Sequence, residues 1–356
     1  MKISMFIGGL TGGGAERVLC NLANYLDDRN HDVSIITMSE TKEKYALNQN
    51  IKVINLLSLK ERKNKVIGLF KRIHRLKKYL KTSNEEAYVV FLPITIAFML
   101  FFRRLIKVPV IASERCDPAV YSKSKKFLMR YYGKRADLWV FQTEDAAKWY
   151  EGVAKKSIVI PNAINPAFIR EPYLGVKEKS IVAAGRLCEQ KNFALLIEAF
   201  SRISDEFSDY KLKIYGKGPL ETQLNELAER KGLSDRVEFM GYVDNMPEQL
   251  EKASLFVLSS DFEGMPNALM EAMALGLPCV STECPCGGPK FLIKDKGNGL
   301  LVPVKDAEAM ALALRKMLAN EEFRNNCGEN ARKVVETLNP QKIYGTWEKV
   351  IEDEME

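Results

Sequence analysis

Short apolar runs alternate with helical patterns along most of this chain. The first run, residues 3–7, leads into a glycine-rich turn and then into residues 15–26, where apolar side chains recur every three or four positions. The same order returns at residues 180–184, followed by a short turn and a helical pattern over residues 192–203. Strands that alternate with helices form parallel sheets covered on both faces, so the pattern predicts an α/β fold.

Further short apolar runs continue both series. In the first half they are residues 33–37, 53–55, 89–92, 110–112 and 138–142, and in the second half residues 212–215, 237–240, 255–259 and 279–282. Each series therefore predicts one Rossmann-like domain. The boundary is expected within residues 161–175, which begin rich in Pro and Asn and show no sustained periodicity.

The composition is that of an ordinary globular protein. The 356 residues are 46% hydrophobic and 28% charged, which excludes disorder, collagen and coiled coil. The longest mostly apolar stretch, residues 87–102, includes Pro93 and Thr95 and is shorter than the roughly 18 residues that span a bilayer. The N-terminus lacks the pattern of a secretory signal, so a cytoplasmic protein is expected.

Seven cysteines and two histidines limit the chemistry. An odd number of dispersed cysteines indicates reduced thiols rather than a disulfide framework. The spacing of Cys284 and Cys286 fits neither a redox motif nor a common zinc pair, which favours two loop thiols. His31 and His74 lie in no catalytic context, so neither histidine-centred catalysis nor a metal site is expected.

The net charge of +7 is unevenly distributed. Residues 1–170 contain 30 Lys and Arg against 15 Asp and Glu, whereas residues 171–356 contain 23 against 31. The first half is therefore strongly basic and the second half acidic. This asymmetry predicts that the first half faces an anionic partner, such as a membrane surface, a phosphorylated substrate or nucleic acid.

Two loops at predicted strand ends carry groups suited to a phosphorylated ligand. Gly12, Gly13 and Gly14 precede a helix, where bare backbone and free N–H groups favour an anion, although the run matches no nucleotide-binding motif and also suits a plain tight turn. Arg186 and Lys191 lie five residues apart beyond the strand at 180–184. A planar fork and a point charge together suit a diphosphate, whereas either cation alone is more often a solvated loop residue.

Two glutamates flank the start of a predicted helix in the second half. Glu263 lies in a loop, and Glu271 lies inside a helix that Pro266 begins and Gly276 ends. A pair of glycosidase carboxylates and an ordinary helix with surface acids are the alternatives. One acid in a loop and one along a helix better suit hydroxyl recognition beside an anion at the helix N-terminus.

Five motifs follow one another along the chain. They are Gly-Gly-Ala-Glu-Arg at residues 13–17, Gly-Arg-Leu and Lys-Asn within 185–192, Tyr-Gly-Lys-Gly-Pro at 215–219, Phe-Met-Gly-Tyr-Val at 239–243, and two glutamates separated by seven residues at 263 and 271. In this order they resemble glycosyltransferase family 4, whose members retain anomeric configuration and have the GT-B fold. The resemblance covers nearly the whole chain.

The resemblance implies two Rossmann-like domains that face each other across a cleft. An acceptor-binding domain would span residues 1–165, and a nucleotide-sugar-binding domain would span residues 166–340. The C-terminal helix, about residues 341–356, would cross back onto the first domain.

The resemblance also implies roles for individual residues. Arg186 and Lys191 would hold the donor diphosphate and stabilise the leaving group. Glu263 would lie against the transferred sugar, and Glu271 would bind the ribose hydroxyls. The other nucleotide-sugar contacts would come from Gly13, Gly14, Gly185, Gly216, Gly218, Met240, Gly241, Tyr242, Gly264, Met265, Pro266 and Asn267.

The chain departs from the family at one position. Many members have a histidine after the strand that ends at Ala112, and here Arg115 stands in its place. An arginine cannot act as a base, although it can donate hydrogen bonds to a sugar or to an acceptor phosphate in a catalytic role. Glu114, Asp117 or the departing phosphate oxygen would then take the acceptor proton.

The resemblance implies a retaining hexosyltransferase that moves a hexose or N-acetylhexosamine from a nucleotide-sugar, with a UDP-sugar favoured over a GDP-sugar. Residues 113–115 and 284–289 resemble bacterial transferases that build capsule, O-antigen or N-glycan chains on polyprenyl diphosphate. No metal or other cofactor is expected, because two cations and a helix N-terminus can neutralise the diphosphate. A transferase with a soluble acceptor and a GT-B epimerase remain as alternatives, whereas nucleic-acid binding is disfavoured because aromatic and basic residues are not interleaved.

Residues 60–81 contain ten Lys and Arg against one acid, and apolar residues recur at spacings of three and four. The pattern predicts an amphipathic helix that presses on the anionic inner face of the cytoplasmic membrane or grips a lipid-linked acceptor, with an ordinary domain helix as the alternative. The expected contacts are Lys71, Arg72, Arg75 and Lys78, joined by Arg103 and Arg104.

Overall fold

A computed structural model describes residues 1–41 and 45–356, apart from the side chain of residue 63. The chain divides into two compact units. The first comprises Met1–Ala163 and Gln341–Glu356, and the second comprises Ile164–Pro340.

The first unit contains a seven-stranded parallel sheet with the order β3-β2-β1-β4-β5-β6-β7. Its strands are β1 Lys2–Ile7, β2 Asp32–Thr37, β3 Lys52–Asn55, β4 Ala87–Phe91, β5 Val110–Ser113, β6 Leu138–Phe141 and β7 Ser157–Val159. Its helices before the boundary are α1 Gly14–Asp28, α2 Lys65–Thr82, α3 Pro93–Phe101, α4 Lys123–Tyr132 and α5 Glu144–Trp149. Strands β1 and β4 are buried almost throughout, because helices cover both faces of the sheet centre.

The second unit contains a six-stranded parallel sheet with the order β10-β9-β8-β11-β12-β13. Its strands are β8 Glu178–Ala184, β9 Lys211–Tyr215, β10 Val237–Gly241, β11 Ala253–Leu258, β12 Cys279–Thr282 and β13 Leu300–Val302. Its helices are α6 Phe193–Ser201, α7 Glu221–Arg230, α8 Met246–Glu251, α9 Asn267–Ala274, α10 Gly288–Leu292, α11 Ala307–Ala319, α12 Glu321–Arg332 and α13 Val334–Thr337. The apolar sides of α6 and α11 close one core of this unit.

The predicted α/β fold with two Rossmann-like units is confirmed, and every predicted strand is present. Two edge strands, β7 and β13, were not predicted. Each has three residues, too few for a visible alternation of apolar and polar positions.

The last helix, α14 Pro340–Asp353, belongs to the first unit. Its Trp347 ring stacks on Phe91 at a centroid distance of 6.0 Å. Its Glu348 accepts hydrogen bonds from Arg29 at 2.7 Å and from the ring of His31 at 2.8 Å. Among the described residues, no helix is both long and apolar enough to cross a membrane.

Candidate functional site

Two loops meet at the carboxyl ends of the neighbouring strands β8 and β11. Lys191 follows β8 and Glu263 follows β11, and the Lys191 Nζ atom lies 2.5 Å from the Glu263 Oε1 atom. Both side chains are largely buried, with 17% and 10% of their surface exposed. The hydroxyl of Ser260 donates a second hydrogen bond to the same carboxylate oxygen at 2.9 Å. The structure thus brings together the predicted cation and the first predicted acid.

The turn that carries Lys191 is pinned to the loop after β11 by groups that the sequence analysis missed. The Ser259 hydroxyl donates to the Lys191 carbonyl at 2.9 Å, and the Asp261 amide donates to the Gln190 carbonyl at 2.9 Å. The Asn192 side chain donates to the Asp261 carboxylate at 2.7 Å while its oxygen caps the first turn of α6. An asparagine before a helical pattern signals a cap, but no sequence signal reveals its bond to Asp261.

Arg186 differs from Lys191 in its surroundings. Its side chain is exposed, and the described part of the chain provides no hydrogen-bond or ion-pair partner for it. An exposed guanidinium beside a strand end offers a fork of donors to a planar or tetrahedral anion. Of the two predicted diphosphate-binding cations, Lys191 is therefore already ion-paired, whereas Arg186 has no ion-pair partner among the described residues.

Close backbone contacts explain three of the predicted glycines. A Cβ atom at Gly216 would lie 1.9 Å from the Gly185 carbonyl oxygen, and one at Gly218 would lie 2.2 Å from the Leu187 carbonyl oxygen. Gly185 packs in turn against the aliphatic stem of Lys191, where a Cβ would lie 2.9 Å from the Lys191 Cε atom. A side chain at Gly216 or Gly218 would push the turn of Lys191 away from the end of β9, and one at Gly185 would displace the Lys191 side chain.

The predicted nucleobase side lies at the end of β10. The Gly216 amide donates to the Gly241 carbonyl at 2.7 Å, and Gly241 has a φ of 67°, a backbone conformation that favours glycine. The neighbouring side chains are open to solvent, since Met240 is 38% and Tyr242 is 73% exposed. Their contact with a base stays a prediction.

The second acid lies in α9 as predicted. Glu271 is in the second turn of this helix and is 7% exposed, while Pro266 caps the helix and Asn267 begins it. The preceding Gly264 is packed against Gly288, where a Cβ would lie 1.9 Å from the Gly264 carbonyl oxygen. Met265 is also buried, at 5% exposure. The contact of Gly288 was not predicted, because a Gly-Gly-Pro run does not indicate which loop it packs against.

The two loop cysteines have different environments. Cys284 is buried beneath the loop after β11, and its thiol donates to the Ser260 carbonyl at 3.1 Å. Burial raises the pKa of Cys284 to about 12. Cys286 is partly exposed in a backbone conformation with a φ of 74°. A neutral buried thiol at this place supports the loop and has no nucleophilic character at neutral pH.

In the first unit, the predicted glycine loop is closed by its own glutamate. Gly13 caps α1 and Gly14 begins it. The Glu16 carboxylate accepts hydrogen bonds from the amides of Gly12 at 2.7 Å and Gly13 at 3.0 Å. A carboxylate therefore already occupies the two amide donors that directly precede the helix. A diphosphate at this loop would have to displace or share the Glu16 carboxylate.

Arg115 lies in the interior of the first unit. It is 7% exposed and donates to the Ser113 hydroxyl at 2.7 Å and to the Asn162 side chain at 3.1 Å. Its guanidinium carbon also lies 5.1 Å from the Phe91 ring centre and 5.2 Å from that of Trp347. Burial lowers the pKa of Arg115 to about 9. Its expected catalytic contact with a sugar or an acceptor phosphate is a prediction that this burial disfavours.

Both acids next to Arg115 are buried. Glu114 is fully buried, and its oxygens accept hydrogen bonds from the hydroxyls of Tyr121 and Tyr150 at 2.6 Å each and from two backbone amides. Burial raises the pKa of Glu114. Asp117 is 3% exposed and caps a 3₁₀ turn through the amide of Ala119. Glu114 is thus an internal anchor of the first unit, and transfer of the acceptor proton to it or to Asp117 stays a prediction.

Three of the seven cations of α2 are bonded within the first unit. Lys71 pairs with Glu61 at 2.9 Å, and Arg75 donates to both oxygens of the same carboxylate at 2.7 Å. Arg72 donates to the Met38 carbonyl at 2.8 Å. The hydrogen bonds from Arg75 and Lys71 hold the pKa of the Glu61 carboxyl well below its usual range. Three of the expected membrane contacts thus anchor the helix to its own unit.

Of the three remaining predicted membrane contacts, one is bonded within the first unit and two are exposed. Arg103 donates to both carboxylate oxygens of Asp137 at 2.9 Å, which makes it a link between loops. Lys78 and Arg104 are exposed. The first half of α2 also exposes apolar side chains, with Val66 at 64% and Phe70 at 67%. An apolar surface is therefore present on α2, but two of the cations expected to face the membrane share the carboxylate of Glu61.

Comparison with known proteins covers both units. Residues 12–168 match the family model described as Glycosyltransferase Family 4, and residues 166–334 match the model described as Glycosyl transferases group 1. A Campylobacter jejuni GalNAc-alpha-(1->4)-GalNAc-alpha-(1->3)-diNAcBac-PP-undecaprenol alpha-1,4-N-acetyl-D-galactosaminyltransferase is 32% identical over 99% of this chain and 98% of its own. A second Campylobacter jejuni protein, N-acetylgalactosamine-N,N'-diacetylbacillosaminyl-diphospho-undecaprenol 4-alpha-N-acetylgalactosaminyltransferase, is 30% identical over 96% of this chain and 97% of its own.

Solved structures agree in fold. Sucrose-phosphate synthase from Thermosynechococcus elongatus superposes with a TM-score of 0.86 at 19% identity, covering 99% of this chain and 98% of its own. The Anabaena protein HepE, solved in complex with UDP-glucose, has a TM-score of 0.86 at 17% identity, covering 99% of this chain and 100% of its own. Identities this low establish the shared architecture alone.

Proposed function

Because this chain belongs to glycosyltransferase family 4 and has its GT-B fold, we propose that it transfers a hexose or N-acetylhexosamine from a UDP-sugar to a polyprenyl-diphosphate-linked glycan. The observation that carries the proposal is the ion pair of Lys191 and Glu263 at the carboxyl ends of β8 and β11. Arg186 also follows β8 and is exposed, and it has no ion-pair partner among the residues that the structure describes. Ligands of open α/β sheets bind at this edge.

The two cations serve the leaving group. As the bond between the anomeric carbon and the diphosphate oxygen breaks, negative charge grows on the diphosphate, and Arg186 and Lys191 stabilise it. The hydrogen bonds between the Lys191 turn and the loop after β11 hold this cation in place before the donor binds. The Lys191 side chain therefore need not reorganise during the reaction. No metal ion is needed for this neutralisation.

The sugar and the ribose are assigned to the two acids. Glu263 lies on the loop after β11 and accepts hydrogen bonds from hydroxyls of the transferred sugar while it orients Lys191. Glu271, buried in α9, accepts from the ribose hydroxyls. Gly216 and Gly218 let the turn at residues 185–187 pack against the end of β9, and Gly241 ends β10 on the side assigned to the base.

Retention of configuration is assigned to a front-face reaction. The acceptor hydroxyl oxygen bonds to the anomeric carbon on the side from which the diphosphate leaves, and its proton passes to the departing phosphate oxygen. The burial of Glu114 supports this route, because that carboxyl has no open face to the solvent. UDP and the extended glycan are the products.

The acceptor class follows from the relatives. The names of the two Campylobacter jejuni proteins specify undecaprenol-linked glycans. Both proteins match this chain over nearly its full length at 30 to 32% identity. Action on a membrane-held acceptor would place the protein at the inner face of the cytoplasmic membrane. There the exposed apolar side chains at the start of α2 and the exposed cations Lys78 and Arg104 are suited to contact lipid.

The test is a transfer assay with a panel of UDP-sugars and GDP-sugars and two acceptors, a polyprenyl-diphosphate-linked glycan and the same glycan without the lipid. A glycoside formed on the lipid-linked acceptor from a UDP-sugar supports the proposal. Equal transfer to the lipid-free glycan points to a soluble acceptor, and UDP release without a new glycoside points to an epimerase. Either result overturns the proposed acceptor.

A further inference from the structure

The guanidinium of Arg115 is a buried positive charge without a carboxylate partner. Its Nε atom donates to the Ser113 hydroxyl at 2.7 Å and its Nη1 atom donates to the Asn162 side chain at 3.1 Å, and both acceptors are neutral. Among the described residues, no carboxylate lies within ion-pair distance of this guanidinium. Burying an unpaired charge is costly, so a buried cation normally lies beside a counter-charge.

The nearest acid along the chain does not supply that counter-charge. The oxygens of Glu114 accept hydrogen bonds from two tyrosine hydroxyls and two backbone amides, and none of these bonds joins the carboxylate to the guanidinium. The rings of Phe91 and Trp347 lie 5.1 and 5.2 Å from the guanidinium carbon of Arg115. Contact with aromatic rings offsets only part of the cost of burying a charge.

Two N–H donors beside this charge have no acceptor. In the part of the chain that the structure describes, neither the Nη2 atom of Arg115 nor the indole Nε1 atom of Trp347 has a hydrogen-bond partner. Both side chains are buried, and they are neighbours, since the guanidinium lies over the indole ring. Nearly all buried donors in proteins are satisfied. An acceptor that is not part of this chain is therefore expected beside these two atoms.

The surrounding groups favour an anion over a water molecule as that acceptor. A buried water needs acceptors for its own hydrogens as well as donors for its oxygen. The Asn162 side-chain oxygen already accepts from Arg115 and, at 2.8 Å, from Gln142, which uses both of its lone pairs. An anion needs donors alone, and its charge also compensates the guanidinium.

We propose that Arg115 and Trp347 bind a small monovalent anion, such as chloride, between the loop after β5 and helix α14. The Nη2 and Nε1 atoms donate to the anion, and the anion neutralises the buried guanidinium. Because α14 carries Trp347 and the loop carries Arg115, the bound anion stabilises the packing of the last helix on the first unit. The site lies within the first unit, so the inference does not depend on the donor site of Lys191 and Glu263.

The direct test is a crystal structure of the full chain grown in bromide, with data collected at the bromine absorption edge. An anomalous peak within hydrogen-bond distance of both the Arg115 Nη2 atom and the Trp347 Nε1 atom supports the proposal. A water molecule without anomalous signal at these two atoms overturns it.

Thermal unfolding in solution gives a second test, with sodium chloride compared against sodium gluconate at equal ionic strength. Chloride at a tenfold excess over its Kd should raise the ratio of folded to unfolded protein about elevenfold, which raises the melting temperature by about 3–6 °C. Trp347→Phe removes the Nε1 donor and keeps an aromatic ring beside Phe91, so it should lose most of this chloride dependence.

The matched control is Trp139→Phe. It also replaces a buried tryptophan, but the Trp139 Nε1 atom already donates to the Gly133 carbonyl at 3.0 Å. This variant should therefore keep the chloride dependence of the wild type, whatever its own melting temperature. The comparison uses the difference between the two salts for each protein, which separates loss of the anion from a general loss of stability.

Two results in solution overturn the proposal. One is a wild type that is equally stable in chloride and in gluconate, in which case a bromide peak marks an adventitious ion only. The other is an equal chloride dependence in Trp347→Phe and Trp139→Phe, which places the effect of chloride elsewhere on the protein.

Discussion

Replacing Glu263 by Gln tests whether this acid positions Lys191 or mainly serves a ligand. The change keeps the shape of the side chain and removes the charge that lies 2.5 Å from the Lys191 ammonium. Both groups are less than one-fifth exposed, so water only partly replaces the lost partner. The amide oxygen still accepts a hydrogen bond, but the ammonium loses its counter-charge.

The size of the effect follows from this partial burial. Breaking a fully buried ion pair on one side costs about 3–5 kcal/mol, whereas an exposed pair contributes about 0–1 kcal/mol. The pair of Lys191 and Glu263 lies between these limits, so Glu263→Gln should lower the free energy of unfolding by about 2–3 kcal/mol. For a unit of this size the melting temperature should fall by roughly 5–10 °C.

The assay is thermal and urea unfolding with and without UDP. UDP at a hundredfold excess over its Kd should stabilise the wild type and Glu263→Gln equally, by about 2.7 kcal/mol, because Glu263 is assigned to the sugar and not to the nucleotide. Glu271→Gln should show a smaller stabilisation, because it removes the ribose contact. The control is Glu238→Gln, which breaks the exposed pair with Lys211 and should change stability by less than about 1 kcal/mol.

Two results would refute this reasoning. If Glu263→Gln unfolds at the wild-type midpoint, the ion pair does not hold Lys191 in place. If Glu263→Gln and Glu271→Gln weaken UDP binding equally, the separate assignment of the two acids is wrong.

Three further predictions concern the leaving group, the glycine turn and α2. Transfer should persist in excess chelator while Lys191→Met lowers kcat by about 30- to 1,000-fold, and a loss of wild-type activity that Mn²⁺ restores would contradict the role of the cations. Gly216→Ala should abolish UDP binding in calorimetry, since the new Cβ would lie 1.9 Å from the Gly185 carbonyl oxygen, whereas Gly232→Ala, where no atom lies nearby, should not. Because Arg75 and Lys71 lower the pKa of Glu61, its stabilisation of α2 should be present above about pH 4.5 and lost as the pH falls. The protection of the α2 amides, measured as the exchange rate relative to that of an unstructured peptide at the same pH, should therefore decrease at low pH in the wild type and lose this dependence in Glu61→Gln.

Two kinds of feature could be predicted from the sequence: the order of the elements, which depends on periodicity, and the residues of the candidate site, which follow strand ends. The order of strands and helices follows from apolar spacing, and the meeting of Lys191 with Glu263 follows from the rule that ligand-binding loops of parallel sheets share one edge. The contacts of Asp261 and Gly288 could not be predicted. Each depends on a second loop more than 20 residues away whose path the local pattern does not determine.

The pairing of charges is even harder to predict from the sequence, because a count of cations does not reveal which of them form ion pairs. By count, α2 and its preceding turn are the most basic segment, yet Glu61 alone engages Lys71 and Arg75, and a backbone carbonyl engages Arg72. The segment around α4, residues 122–136, has fewer cations and no acid of its own, and none of its cations forms an ion pair with a described residue. Likewise Arg115 stands where a catalytic histidine is expected by resemblance, but it lies among Phe91, Trp347 and Asn162. An arginine in that setting joins β5 to α14 through its packing, and such a role becomes visible only when the partners of the charge are known.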